Sequence, residues 1–390
     1  MIAGRVRRWL WGESSSSRPD HVVLITNVAA PYRLPALRHL AAQVQLTLIC
    51  CGERGSEELP WDIDFADEPF SSLRLNSRVW RVGNRQLHFS PRLLSALWRS
   101  RPTAVISGGF SLSTAYAALY CTVLRRPLLI FSDGTRDSEC RNPSTRNSPL
   151  QNLARRVVVR CSAGAIAASA PAAARFEELG FERSRVHLAL HSTEMEPYWS
   201  VGATRSSRER PVRFLYVGRL IEGKGLDQLL EAFAEVAARC PQASLWIVGS
   251  GPLEERLRAA AARAGAGKVK FFGFVEQGLL PGIYAQAQVF VFPTVGDTFG
   301  MAMLEAAAAG LAIVSTPWAG ANDHLVREGA SGTVVDPGNR PSLVATLVQL
   351  ADEPDRVAAW GRESHRLSRA HSPEATAAGY LQAVRRAESG

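Results

Sequence analysis

In GDTFGMAMLEAAAAG, residues 296–310, a carboxylate occupies a position that the pattern reserves for an apolar side chain. The stretch reads as a loop entering a helix that Asp297 or Thr298 can cap and Gly310 can close. Met301, Leu304, Glu305 and Ala308 fall at i, i+3, i+4 and i+7, the spacing of one core-facing stripe. A buried, unpartnered carboxylate is costly, so Glu305 needs a partner from the protein or from a ligand. Asp297 stands at the loop end and Glu305 roughly two turns, about 10 Å, further along.

Three more loops carry polar chemistry. GRLIEGKG (218–225) follows the apolar run RFLYV, and there Arg219 and Lys224 sit at a strand-to-helix crossover. Backbone N–H groups and the helix dipole favour anions at such a place, and two cations suit a diphosphate. Alone, the pair also reads as ordinary solvated loop charge. VGSGP supplies Gly249 and Gly251 but has Glu254 where a dinucleotide fingerprint has its third glycine, so the dehydrogenase signal is weak. GFVEQGLLPGIY (273–284) could flank a nucleobase or simply connect two elements. A nucleotide sugar spanning the first and last loops would give Glu305 a vicinal diol as hydrogen-bond donor; an arginine neighbour is the competing partner.

These loops need a scaffold. HVVLITN, QLTLICC, TAVISGG, PLLIFSDG and AGAIAAS are short apolar runs, each followed by a small-residue loop. VRFLYVGR, ASLWIVGSG, VKFFGF, VFVFPT and LAIVST repeat the theme after a polar break near 200–211. Continuous apolar strands alternating with helices predict parallel sheets covered on both faces. The expected fold class is α/β, two Rossmann-like domains facing each other across a cleft. The expected divisions are a basic arm over 1–20, a first domain over 21–205, a second over 206–370, and a C-terminal helix over 371–390 packing back on the first.

A chain of 390 residues suits two cores. Its net charge of +9 comes from 45 basic residues, of which only Lys224, Lys268 and Lys270 are lysines. Basic charge alone does not choose among phosphates, nucleic acid and an anionic membrane. The strands lack the aromatic-plus-basic pattern of a nucleic-acid binder. The six cysteines show neither metal-ligand nor disulfide spacing, which suits a reducing cytoplasm. No apolar stretch reaches membrane-spanning length. The first residues interleave Arg5, Arg7 and Arg8 with Trp9, Leu10 and Trp11. Residues 5–11 could lie on the inner face of an anionic cell membrane, or form a solvated arm.

Arg219 and Lys224 in GRLIEGKG, then VGSGP, then DTFGMAMLE with its acid and glutamate, resemble the retaining glycosyltransferases of family 4 with the GT-B fold, also called group 1. The likeness covers nearly all of residues 210–340. The resemblance implies that Arg219 and Lys224 bind a donor diphosphate and that Glu305 holds the ribose hydroxyls. Asp297, with Phe299, Gly300 and Met301, is implied at the sugar and phosphate, and Gly218 and Gly251 in the donor-loop backbone. Asp297 departs from the usual glutamate by one methylene. PYR in NVAAPYR is similar to a polysaccharide-building subgroup, which makes Tyr32 and Arg33 acceptor-side candidates. A histidine usual after a middle first-half strand is missing from ISGGFSLS; SDGTRD offers Asp133 and Arg136 in its place, or is an ordinary polar loop.

The resemblance implies a UDP- or GDP-sugar donor, a glycan or lipid-linked acceptor, no cofactor and no metal. It implies retention on one face of the sugar, with the donor's phosphate helping to deprotonate the acceptor. A nucleotide-sugar epimerase and a non-catalytic scaffold on the same fold are the alternatives.

Overall fold

The computed structural model describes residues 20–389 except 28–29, 53–62, 76, 83–84, 142–148, 206–210 and 264–266. The basic arm around Arg5, Arg7 and Arg8 and the centre of the expected linker lie outside the described residues.

Among the described residues, nine strands occupy the first half: β1 His21–Thr26, β2 Gln45–Cys50, β3 Ser71–Arg74, β4 Arg78–Val82, β5 Arg85–Phe89, β6 Ala104–Gly108, β7 Leu128–Ser132, β8 Gly164–Ala167 and β9 Val186–Leu188. Seven of them form a parallel sheet in the order β3-β2-β1-β6-β7-β8-β9, while β4 and β5 make a separate antiparallel hairpin. The second half adds β10 Arg213–Val217, β11 Ser244–Val248, β12 Val269–Gly273, β13 Val289–Val291, β14 Ala312–Ser315 and β15 Gly332–Val334. They form a parallel sheet in the order β12-β11-β10-β13-β14-β15. The apolar runs seen in the sequence are the buried central strands. The strands missed are β3, β9 and β15, which are short and lie at sheet edges, where burial demands less apolar sequence, and the separate hairpin of β4 and β5.

Strand order reverses between β1 and β6 in the first sheet and between β10 and β13 in the second. In open parallel sheets, a crevice forms at this reversal, beyond the carboxyl ends of the strands. The loop after β10 is 218–225 and the loop after β13 runs to Gly300. Topology alone therefore puts Lys224 and Asp297 on the two walls of one crevice.

Each sheet is buried on both faces by helices. Leu226–Arg239 and Arg340–Asp352 cover one face of the second sheet, burying Leu229, Phe233 and Leu347 against Phe214 and Leu245. Met301–Ala308 covers the other, with Met303 and Leu304 against Leu215 and Phe290. Glu196–Thr204 also packs there through Tyr198 and Trp199, and the Trp199 indole donates to Ser368 at 3.0 Å. Residues 200–204 are thus helical, and this helix packs with residues of the second sheet. The Pro373–Ser389 helix lies on the first sheet, where Tyr380, Leu381 and Val384 join Leu37 and Leu40 in one core.

Two helices of the first half, Arg92–Ser100 and Leu112–Leu124, end on arginines in the left-handed region, Arg101 at φ 48° and Arg125 at φ 51°. Glycine would adopt this conformation freely, whereas a side chain costs about 1 kcal/mol or more. Cation placement at a helix C-terminus offsets part of that cost.

Candidate active site

The loop after β10 folds tightly because two glycines allow it. Gly225 begins the Leu226–Arg239 helix at φ +67°, and a Cβ there would sit 1.8 Å from the Pro293 carbonyl oxygen. A Cβ on Gly251 would sit 2.4 Å from the Leu220 carbonyl oxygen, so GSGP holds the neighbouring loop by backbone contact. Leu220 donates to Ser250 and Leu253 donates back to Leu220, at 2.9 and 3.1 Å. The role of Gly251 is therefore to seat this loop. Gly251→Ala is expected to destabilise the protein by about 2 kcal/mol through the displaced backbone, measured by denaturant unfolding.

Seated this way, Lys224 reaches across the crevice. Its ammonium donates to Asp297 Oδ2 at 2.5 Å, and both side chains are four-fifths buried. The other Asp297 oxygen accepts from the Phe299 amide at 3.1 Å. The Asp297 backbone is clamped by the loop after β14, with Asp297 N donating to Trp318 O and Gly320 N donating to Asp297 O, both at 3.1 Å. The sequence expectation that Asp297 or Thr298 caps the following helix fails: Gly300 stands at the cap at φ 101° with no side-chain bond. Asp297 is turned toward Lys224 and its own loop, because the extra residues let a glycine make the corner. Gly310, at φ 73°, does end the helix. Gly218 lies at the carboxyl end of β10, and Arg219 is exposed beside it, its carbonyl accepting from the Tyr216 hydroxyl.

Glu305 is buried, with 8% of its surface exposed. The helix carrying it is buried nearly all round, from Met303 to Ala308, so the single stripe read from the sequence is too narrow. Its partner is a tyrosine, not an arginine. The Tyr284 hydroxyl donates to Glu305 Oε2 at 2.9 Å. Burial pushes the Glu305 carboxyl up to about 7, with Tyr284 and the nearby Tyr198 hydroxyl holding it down. The Tyr198 hydroxyl makes no hydrogen bond of ordinary geometry. Glu305 therefore keeps unused acceptor capacity beside a buried hydroxyl, which suits a ligand that donates.

On the opposite wall, at the end of β7, Asp133 accepts from the Thr298 hydroxyl at 3.2 Å, a direct bond between the two halves. His191 Nε2 lies 3.5 Å from the same carboxylate oxygen. Burial raises the Asp133 carboxyl, but His191 and the Arg33 charge outweigh it and hold the group well below the usual carboxylate range. Burial keeps His191 below its ordinary value, against the pull of Asp133. Arg33 lies 4.6 Å from the centre of the Phe131 ring, and Tyr32 meets the His191 ring edge-on at 5.5 Å. Phe299 closes the cluster 5.0 Å from His191. Arg136 does not join it: its guanidinium pairs with Glu178 at 3.3 Å on the surface, because the helix it starts carries it outward.

Sequence reading missed His191, Tyr198 and Tyr284. His191 follows a three-residue strand too short to recognise, yet a histidine just past a strand end was the available signal. Tyr198 lies just before the stretch read as a linker, and Tyr284 ends the one read as a loop or plain connection.

A family model described as "Glycosyl transferases group 1" matches residues 211–353, and one described as "Glycosyl transferase 4-like domain" matches residues 29–189. The chain belongs to the group 1 glycosyltransferases. A GDP-mannose-dependent alpha-(1-6)-phosphatidylinositol monomannoside mannosyltransferase from Mycolicibacterium smegmatis is 35% identical over 161 residues, covering 39% of this chain and 42% of that protein. The chain thus spans well under half of that relative's length. Anabaena HepE, solved with UDP and glucose, superposes with a TM-score of 0.68 at 16% identity, over 93% of this chain and 99% of HepE. Sucrose-phosphate synthase from Thermosynechococcus elongatus gives 0.72 at 16% identity, over 94% and 98%. Both parallel sheets of this glycosyltransferase thus adopt the GT-B fold.

Proposed function

We propose that this protein is a retaining, metal-independent hexosyltransferase. It moves a sugar from a nucleoside-diphosphate sugar to a hydroxyl of a glycan or lipid-linked acceptor at the cytoplasmic face of the membrane. The observation that carries this reading is the meeting of Lys224 and Asp297 at the strand-order reversal of the second sheet, with half-satisfied Glu305 behind them. Arg219 and Lys224 take the diphosphate and stabilise the charge that builds on it as the glycosidic bond breaks. Glu305 accepts from the ribose diol, and the backbone of Phe299, Gly300 and Met301 faces the phosphate at a helix start. Gly218 and Gly251 shape the loop around it.

A cavity of about 300 Å³ opens between the halves, lined by Pro31, Leu34, Arg38, Thr193, Tyr198 and Gln277 among others. It adjoins the tyrosine that faces Glu305, which supports the nucleoside end lying there. The GDP-mannose of one relative's name and the UDP bound to HepE support a UDP- or GDP-sugar. On the acceptor wall, ionised Asp133 orients a sugar or acceptor hydroxyl, held by His191 and Arg33 with Tyr32 alongside. Asp133→Asn is expected to lower kcat by about 10- to 100-fold, with nucleotide affinity changed little, in steady-state assays.

The test is transfer from a radiolabelled UDP- or GDP-sugar to a bacterial lipid extract, followed by assignment of the product anomer. Transfer with the donor's anomeric configuration kept is the expected result. An inverted product, or no transfer by folded protein with any such donor, contradicts the reading.

A further inference from the structure

The sequence from Pro69 to Ser132 contains no acidic residue and nine arginines over 64 positions. This stretch includes the helices Arg92–Ser100 and Leu112–Leu124, and the acid-free Pro149–Arg160 helix packs beside them. All three bury residues in one core on one face of the first sheet: Leu93, Leu97, Ala117, Cys121 and Val159. Their opposite sides therefore face outward together, as one layer.

That outer side is apolar where solvent should favour charge. Among the described residues, ten large apolar side chains are exposed, and five of them, Trp98, Leu119, Val123, Leu153 and Val157, stand on these three helices, each 54–63% exposed. Exposed arginines surround them: Arg99, Arg125, Arg126, Arg156 and Arg160. On the Pro149–Arg160 helix, Leu153, Arg156, Val157 and Arg160 share one exposed stripe at i, i+3, i+4 and i+7. Among the described residues, none of Arg99, Arg125, Arg156 and Arg160 forms an ion pair with a carboxylate. Arg125 also keeps its guanidinium at a helix end in a backbone conformation that glycine would adopt without strain. Exposed apolar side chains on one outer face, flanked by exposed arginines, match an anionic bilayer, where the apolar groups enter the headgroup boundary and the cations meet lipid phosphates.

We infer that the outer face of these three helices is a docking surface for an anionic lipid bilayer. The surface deepens the glycosyltransferase reading, on which it rests for the acceptor being lipid-borne. It uses neither residues 5–11 nor the crevice residues. The helix Leu112–Leu124 starts at the carboxyl end of β6, on the crevice side, and its exposed Leu119 and Val123 lie toward its far end.

The test is co-sedimentation of the full chain with vesicles of phosphatidylcholine alone or mixed with phosphatidylglycerol. Three variants are compared: Leu119→Glu with Val157→Glu; Arg125→Gln with Arg126→Gln, Arg156→Gln and Arg160→Gln; and, in the arm, Arg5→Gln with Arg7→Gln and Arg8→Gln. The wild type is expected on phosphatidylglycerol vesicles only, with binding lost at high salt. The four-arginine variant is expected to partition roughly a thousandfold less, the two-glutamate variant to stay in the supernatant, and the arm variant to bind within a few-fold of wild type. Melting temperature and nucleotide affinity in solution, both unchanged in the surface variants, separate lost docking from lost folding or a failed donor site. Wild-type binding by both surface variants overturns the inference, as does loss confined to the arm variant or no vesicle binding by the wild type.

Discussion

Lys224→Met is expected to lower kcat/KM for sugar transfer by about three orders of magnitude and to raise the Kd for the nucleoside diphosphate at least tenfold. Two effects combine in the single substitution. It removes the point charge that meets the leaving diphosphate, and it leaves Asp297, four-fifths buried, without its 2.5 Å partner. Breaking one side of such a pair costs stability as well as function. The double substitution Lys224→Met with Asp297→Asn separates the two, since it removes both charges and leaves no orphan. It is expected to recover much of the lost thermal stability and none of the lost transfer. Recovery of transfer in the double variant would show that Lys224 serves the loop's structure and not the donor.

The second large effect concerns pH. Burial holds Glu305 at about 7 against an ordinary 4.5. Between those values the folded chain binds more protons than the unfolded one, so the contribution of Glu305 to stability falls as pH rises through that window and is fully lost above 7. The change amounts to about 3 kcal/mol at most. Glu305→Gln is expected to flatten this part of the stability–pH curve, measured by denaturant unfolding from pH 4.5 to 8. The same residue makes nucleotide affinity move the other way. A ribose diol donates to the carboxylate, so the ligand prefers the ionised form, and affinity falls as pH drops below 7. Glu305→Gln is expected to weaken nucleotide binding by about 10- to 100-fold at pH 8 and to abolish its pH dependence below 7. An unchanged slope in both curves would contradict the assignment of that carboxyl.

Much of this site could be read in the sequence because glycines and charges sit at fixed distances from apolar runs. GRLIEGKG after RFLYV is a loop at a strand end whatever the tertiary fold, and DTFGMAMLE is a loop entering a helix. Parallel sheets with buried faces made the strands legible, and with them the two-sheet architecture. What could not be read depends on contacts between distant residues. Nothing near Glu305 in sequence announces Tyr284, 21 positions earlier. His191 reaches Asp133 from 58 positions away, across a sheet edge that only the folded order creates. Arg136 shows the converse: a charge three residues beyond Asp133 is local in sequence, yet one turn of helix directs it to Glu178 and solvent.

The central claim is that the crevice of the second sheet binds a nucleoside diphosphate through Lys224, Arg219 and Glu305. Calorimetric titration of the purified full chain with UDP, GDP, ADP and dTDP, repeated on Glu305→Ala, tests it most directly. The account predicts binding of one nucleotide at about micromolar Kd, weakened by the substitution and unaffected by EDTA. No binding of any of the four by demonstrably folded protein would contradict it.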